Sequence, residues 1–221
     1  MEEESRDTMK TSKVLILGAG GQIAQQVIPM LQGKDHLALT LFLRRASQVK
    51  GKKSAGAEVI EGDVMHAKEL NDAMNGQDIV YANLAGEVDK MASHILQSME
   101  KHQVKRLIFV TSLGIYDEVP GAFGEWNKSM IGKYIGPYKK AADIIEASGL
   151  DYTIIRPAWL TDDDEIDYEL TQKGHPFKGT EVSRKSVAAF IADLIEHPKK
   201  EIGKSVGINK PNTDGDKPAF Y

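Results

Sequence analysis

The chain contains no cysteine. That absence excludes a disulfide framework, a thiolate metal site and a cysteine nucleophile. It also lacks any apolar run near the roughly 20 residues that a bilayer-spanning helix needs, so no membrane partner is expected. Charge of one sign is missing as well: 28 Lys and Arg stand against 32 Asp and Glu, for a net charge of -4. Without a basic stripe the chain is not a general nucleic-acid binder, because phosphate neutralisation needs clustered cations. The six histidines form no helical pair at metal-binding spacing, so no metal is expected. Residues 1–12 are polar and acidic and lack the apolar core of a secretory signal. They read as a disordered tail ahead of a domain starting at Lys13, and a cytoplasmic setting is expected.

What is present is a strand-length apolar run, Val14-Leu15-Ile16-Leu17, that ends in Gly18-Ala19-Gly20-Gly21-Gln22-Ile23-Ala24 and leads into a helix-like segment. Glycine lets backbone approach a phosphate closely, and a helix start offers N–H groups with no helical partner. The strict G-x-G-x-x-G fingerprint of dinucleotide sites fails here, because Ile23 holds the third position. A spacing of Gly18, Gly21 and Ala24 fits better: a tight turn, a residue beneath the phosphates, and a small contact between helix and sheet. The competing reading is a glycine-rich βα turn without a ligand.

Strand-like and helix-like segments alternate beyond this turn. Strands are expected over 13–17, 37–43, 58–61, 78–84, 106–111 and 152–155, and a last one over 205–208. Helices are expected over 21–32, 67–75, 88–102, 138–148 and 183–196. Pro137 suits a first helical position, Gly149 a helix end and Ser183 a cap. Nearly continuous apolar strands are buried on both faces. The pattern defines an α/β class: a Rossmann-like doubly wound parallel sheet spanning residues 13–221, with a small substrate lobe built from segments after 113 and after 158.

The end of the second strand bears on the choice of cofactor. Sites for NAD place an acid there to bond the ribose 2′-hydroxyl. This chain has Arg44 and Arg45 instead, while Asp35 precedes the strand, at the wrong end of the sheet. Two guanidiniums suit a 2′-phosphate, so NADP(H) is expected in preference to NAD(H), with NAD(H) as the alternative. The same pair argues against a nucleotide without that phosphate, such as a methyl donor. Solvated surface charge is the other reading of these arginines.

The chain resembles the atypical short-chain dehydrogenase/reductases of the NmrA-like or NAD(P)H-binding group, over about residues 13–198. The likeness rests on the glycine turn, Glu61-Gly62-Asp63-Val64, Tyr81-Ala82-Asn83-Leu84-Ala85, Phe109-Val110-Thr111-Ser112 and, most specifically, the run from Ser148 to Pro157. Ser183-Arg184-Lys185-Ser186 resembles a later family helix, with Ser186 where Asp is common. The resemblance implies that Gly18, Gly20, Gly21, Gln22 and Ile23 face the cofactor and that Asp63 and Val64 lie against adenine. It implies that Asn83, Leu84 and Ala85 line the dinucleotide, that Thr111 and Ser112 sit near the nicotinamide, and that Pro157 and Ala158 border its outer side. A turn or cap role serves Asp63 equally well.

The Tyr-x-x-x-Lys pair of standard superfamily members is absent, since no tyrosine here has a lysine four residues on. That spacing would put both side chains on one helical face, where the cation makes the phenol a proton donor. In the family alignment Tyr134 takes the tyrosine position and Tyr138 the lysine position. Pro137 is expected to leave Tyr134 ahead of the helix. Catalytic candidates are therefore Ser112 as a partner for a substrate carbonyl, Tyr116 as an alternative acid, and Tyr134. A strand-end hydroxyl and a packed loop aromatic are the plain readings of Ser112 and Tyr116. Asp162-Asp163-Asp164-Glu165 reads as a solvated loop rather than a cation site. Phe123, Trp126, Tyr134 and Trp159 either wall a substrate pocket or pack the small lobe onto the sheet.

Two functions follow. One is an NADPH-dependent oxidoreductase reducing a small carbonyl, quinone or flavin-like molecule. The other is a non-catalytic NADP(H) redox sensor acting through a protein partner.

Overall fold

The computed structural model describes residues 10–49 and 56–221. Residues 1–9 of the expected tail lie outside the described residues, and Ser12, expected in the tail, opens the first strand instead. The first strand, β1, spans Ser12–Leu17 and every side chain from Val14 to Leu17 is buried. Its neighbours are β2 (Leu37–Leu43) and β4 (Ile79–Ala82), both parallel, with Val14 opposite Leu39 on one side and Ile79 on the other. The remaining parallel strands are β3 (Glu58–Glu61), β5 (Arg106–Val110), β6 (Asp151–Pro157) and β10 (Lys204–Asn209). An antiparallel edge strand, β8 (Glu169–Gln172), completes an eight-stranded sheet in the order β3-β2-β1-β4-β5-β6-β10-β8.

Side chains along each central strand alternate between two cores, because successive residues point to opposite faces of a sheet. Val14, Ile16, Ile79, Tyr81, Ile108 and Val110 pack with helices α1 (Ala24–Leu31) and α5 (Arg184–Glu196). Leu15, Leu17, Val80, Ala82, Leu107 and Phe109 pack with α2 (Ala67–Met74), α3 (Val88–His102) and α4 (Gly121–Glu146). Full burial of each such aliphatic side chain contributes about 1.5–3 kcal/mol. Helices on both faces explain why the strands read as apolar runs. A short parallel pair, β7 (Trp159–Thr161) with β9 (Glu181–Ser183), follows β6.

Three of the boundary differences from the sequence expectation bear on the site. The first helix begins at Ala24, not Gly21, because the glycine turn occupies the intervening residues. Strand β4 ends at Ala82, which leaves Asn83, Leu84 and Ala85 in a loop. The largest correction concerns α4, which starts at Gly121 and runs 26 residues with Pro137 inside it. Tyr134 is thus helical rather than ahead of the helix. Proline removes one helical hydrogen bond. The apolar stripe at Phe123, Trp126, Met130, Ile131, Tyr134, Ile135 and Tyr138, spaced three and four apart, carries the helix through it.

Beneath the end of β6 lies a buried ion pair. Arg156 is fully buried, and its Nη1 sits 3.3 Å from Glu118 Oε1. The same guanidinium donates to Ser205 Oγ at 3.1 Å, the Ser205 carbonyl at 3.1 Å and the Thr171 carbonyl at 3.2 Å. Glu118 in turn accepts from the backbone N–H groups of Gly114 and Tyr116. The pair therefore fixes the loop after β5 against β6, β8 and β10. Burial pulls the Arg156 guanidinium down from its ordinary value, and the Glu118 carboxylate opposes that shift. Removing one member of a buried pair strands the other. Arg156→Met should lower unfolding free energy by about 3 kcal/mol, as read by urea denaturation. An unchanged midpoint would show that the pair contributes little.

Candidate functional site

The strand order reverses direction between β1 and β4, since β2 and β3 lie to one side and β5 and β6 to the other. Ligands of open parallel sheets bind at such a switch point, beyond the carboxyl ends of the strands. Two cavities open there and share Asn83 and Leu84. Together they form one trough.

The first cavity, about 270 Å³, is lined by Gly18, Gly20, Gly21, Phe42, Leu43, Arg44, Gln48, Gly62, Asp63, Val64, Asn83, Leu84, Ala85 and Met91. Its floor is the turn after β1. Gly18 has φ +80°, and a Cβ there would lie 2.2 Å from the Asn83 carbonyl oxygen. A Cβ on Gly21 would lie 2.2 Å from Asn83 Nδ2. At Gly18 only glycine permits this contact between the turn and the loop after β4, whereas at Gly21 the Asn83 side chain would have to move. Gly21 donates its N–H to the Gly18 carbonyl at 2.9 Å, whereas the N–H groups of Gln22 and Ile23 meet no backbone acceptor among the described residues. The turn therefore offers donors for an anion at the start of α1.

Arg44 borders this cavity, is exposed, and has no side-chain partner among the described residues. Arg45, also exposed, does not line it, so the expected arginine pair contributes one side chain to the wall. Asp63 takes the turn role weighed for it and also borders the cavity. Its Oδ1 accepts from Met65 N–H at 2.9 Å to hold the turn after β3. Gln22 is exposed and lines neither cavity.

The second cavity, about 500 Å³, joins Ile23, Asn83, Leu84, Thr111, Ser112, Pro157 and Ala158 to an aromatic and aliphatic wall from α4, β7 and the last residues. Thr111 Oγ1 donates to the Ile155 carbonyl at 3.0 Å, so its hydroxyl hydrogen is committed to the sheet. Ser112 Oγ donates to the adjacent Leu113 carbonyl at 3.1 Å. Tyr138 Oη, at the lysine position of the family pattern, donates to the Leu84 carbonyl at 3.3 Å. Burial raises the Tyr138 phenol above its usual value. Tyr134 also lines the cavity but is 57% exposed, and Lys139 pairs with Asp143. No Tyr–Lys relay is assembled.

Tyr116 lies elsewhere. Its hydroxyl is engaged by Glu146 and, at 2.9 Å, by Ser205 Oγ, and its ring is not part of the trough. Burial and the Glu146 carboxylate drive this phenol's pKa well up. The acidic loop is likewise accounted for: Asp162 pairs with Arg184, Asp164 with Lys185 and Glu165 with Lys210. No cluster of metal-binding side chains occurs among the described residues. No helix among them is long and apolar enough to cross a membrane.

Of the four aromatic residues singled out in the sequence, Phe123 and Trp126 do not line the cavity. Trp159 Nε1 donates to Asn127 Oδ1 at 2.9 Å, and Trp159 packs on Trp126 at 4.8 Å and Tyr221 at 5.2 Å between centroids. Trp159 and Tyr134 also face the cavity, together with Phe220 and Tyr221. Sequence reasoning missed Ile131, Ile135, Leu160, Arg184, Phe220 and Tyr221 in this wall, and Gln48, Gly62 and Met91 in the first cavity. The helical stripe running to Tyr138 was the signal for the α4 members. The last residues carried none.

A parallel sheet of this order, with a glycine turn at its switch point, defines an NAD(P)-binding Rossmann protein. The chain belongs to the NAD(P)H-binding family, whose model matches residues 18–198. It is 52% identical to a Rossmann-fold NAD(P)-binding family protein from Shigella flexneri, covering 96% of this chain and all of that one with a TM-score of 0.83. A Veillonella parvula short-chain dehydrogenase/reductase, described in complex with NADP, is 29% identical over 95% of this chain and 99% of its own, with a TM-score of 0.84. A Bacillus subtilis protein described as an uncharacterised sugar epimerase is 29% identical over 67% of this chain and 72% of its own. The likeness to reductases of the short-chain type drawn from the sequence therefore holds.

Gly18→Ala should abolish NADPH binding and lower the melting temperature, because it adds both a left-handed backbone strain and a clash with Asn83. Thermal unfolding with and without NADPH checks this. A variant that keeps its ligand-induced stabilisation would show that the turn is not the cradle.

Proposed function

We propose that the protein is an NADPH-dependent reductase of a small carbonyl, quinone or flavin-like acceptor. The observation that carries this reading is that the two cavities lie side by side across Asn83 and Leu84. Together they run from a glycine turn with N–H donors and Arg44, past Asn83 and Leu84, to Ser112, Pro157 and Ala158. Gly18, Gly20, Gly21 and Ile23 would hold the pyrophosphate, Arg44 the 2′-phosphate, and Asp63 and Val64 the adenine end. The neighbour solved with NADP supports the phosphorylated cofactor. When bound, the nicotinamide supplies a hydride to the acceptor, and water supplies the accompanying proton.

The chain's own residues orient and shield that step. Pro157 and Ala158, both buried, wall one side of the inner cavity. Ser112 lines this cavity and would hydrogen-bond an acceptor oxygen by giving up its bond to the Leu113 carbonyl. Tyr134, exposed on α4, lines the same cavity. Quinones and flavins suit a site without a Tyr–Lys relay, because their reduced oxygens or nitrogens take a proton from water readily. A cytoplasmic setting goes with this proposal.

One observation favours a second reading. The phenol nearest the inner loop, Tyr138, is committed to the Leu84 carbonyl, and Lys139 to Asp143. A binder without chemistry, sensing the NADP(H) state for a protein partner, needs no proton relay.

Calorimetry should give tighter binding of NADPH than of NADH, and the Arg44→Ala, Arg45→Ala double variant should lose roughly 10-fold to 100-fold of that preference. Equal affinities in the parent protein would remove the arginine argument. NADPH oxidation with a panel of quinones, flavins and aldehydes separates the two readings: turnover with any of them supports the reductase. Tight binding with no turnover supports the sensor.

A further inference from the structure

Arg184 stands out in the inner cavity. It is the first residue of α5, its side chain is 19% exposed, and it lines the same wall as Trp159, Leu160 and Phe220. Its Nη1 lies 2.7 Å from Asp162 Oδ1, on a carboxylate that is 79% exposed. A guanidinium carries five N–H donors. The remaining donors of Arg184 have no partner among the described residues. A cation half-buried in an apolar wall, with one weakly held surface partner, is positioned to receive an anion.

The wall around it is aromatic and unexpectedly bare. Seven large hydrophobic side chains are exposed among the described residues, and three of them, Tyr134, Phe220 and Tyr221, border this one cavity. Such clustering marks a surface that a ligand covers. Trp159 behind them is held by Asn127 and by its contacts with Trp126 and Tyr221. Flat rings recognise flat rings through offset or edge contacts.

We propose that the acceptor is a planar aromatic carbonyl compound bearing a carboxylate, with the ring against Trp159 and Tyr221 and the anion on Arg184. This rests on the reductase reading above and specifies its substrate class. Asp162 then acts as a competitor that the substrate anion displaces, so Arg184 and Asp162 are specificity-determining residues of opposite sign.

The test needs no turnover. Protein saturated with NADP⁺ is titrated by calorimetry with menadione, a neutral naphthoquinone, and with the same ring carrying a carboxyethyl chain. The carboxylate compound should bind roughly tenfold more tightly than menadione. Arg184→Gln should erase that difference and leave NADP⁺ affinity and menadione affinity unchanged. Asp162→Asn should widen it. Equal binding of the two quinones, failure of either to bind, or a loss of NADP⁺ affinity in Arg184→Gln would each overturn the assignment. Failure of NADP⁺ itself to bind the parent protein would instead overturn the reductase reading on which it rests.

Discussion

The contact between the turn after β1 and the end of β4 is the constraint on which the rest of the site depends. At Gly18 no side chain fits between the two loops, because the Asn83 carbonyl already fills the space, and at Gly21 one would have to push the Asn83 side-chain amide aside. This closeness brings the start of α1, with its outward N–H groups, to the switch point of the sheet. It also sets Asn83 and Leu84 as the shared floor of both cavities. Had β4 extended to residue 84, as its apolar character suggested, those side chains would alternate into the two cores. The trough would then be divided at its middle.

A second constraint acts at the other end. Arg156 and Glu118 bury opposite charges below the inner cavity and tie the loop after β5 to three further strands. Backbone N–H groups that would otherwise face a buried loop find their acceptor in Glu118. The loop carrying Ser112 is therefore held by polar contacts as well as packing. Leu113 N–H adds a bond to the Pro157 carbonyl at 3.2 Å, joining both borders of the cavity directly. The specificity seen in the run from Ser148 to Pro157 has a physical basis here, since Arg156 can occupy a buried position only where Glu118 and the carbonyls of Thr171 and Ser205 converge.

The sheet was legible because its signals are local. Apolar runs of strand length, glycine at the first turn and the sequence alternation require no knowledge of distant partners. The same holds for the outer cavity, whose residues follow directly on strand ends. Helix α4 was obscured by Pro137 and by two glycines, Gly132 and Gly136, which weigh against a helix locally but do not outweigh a stripe of packed aromatics. The position of Arg45 away from the cavity turns on the short 3-10 turn at Ala46–Val49, a geometry that composition does not encode. The β7–β9 pair and the wall from Phe220 and Tyr221 depend on contacts between segments 20 and 60 residues apart, beyond the reach of local pattern.

The stacked aromatics have an optical consequence. The chain has two tryptophans, and both lie in one stack, Trp126 against Trp159 at 4.8 Å, with Trp159 facing the inner cavity. Indole emission from this protein thus originates at the cavity wall or one ring behind it. A dihydronicotinamide absorbs where indole emits, so the molecule carries its own fluorescence gauge of what that cavity holds.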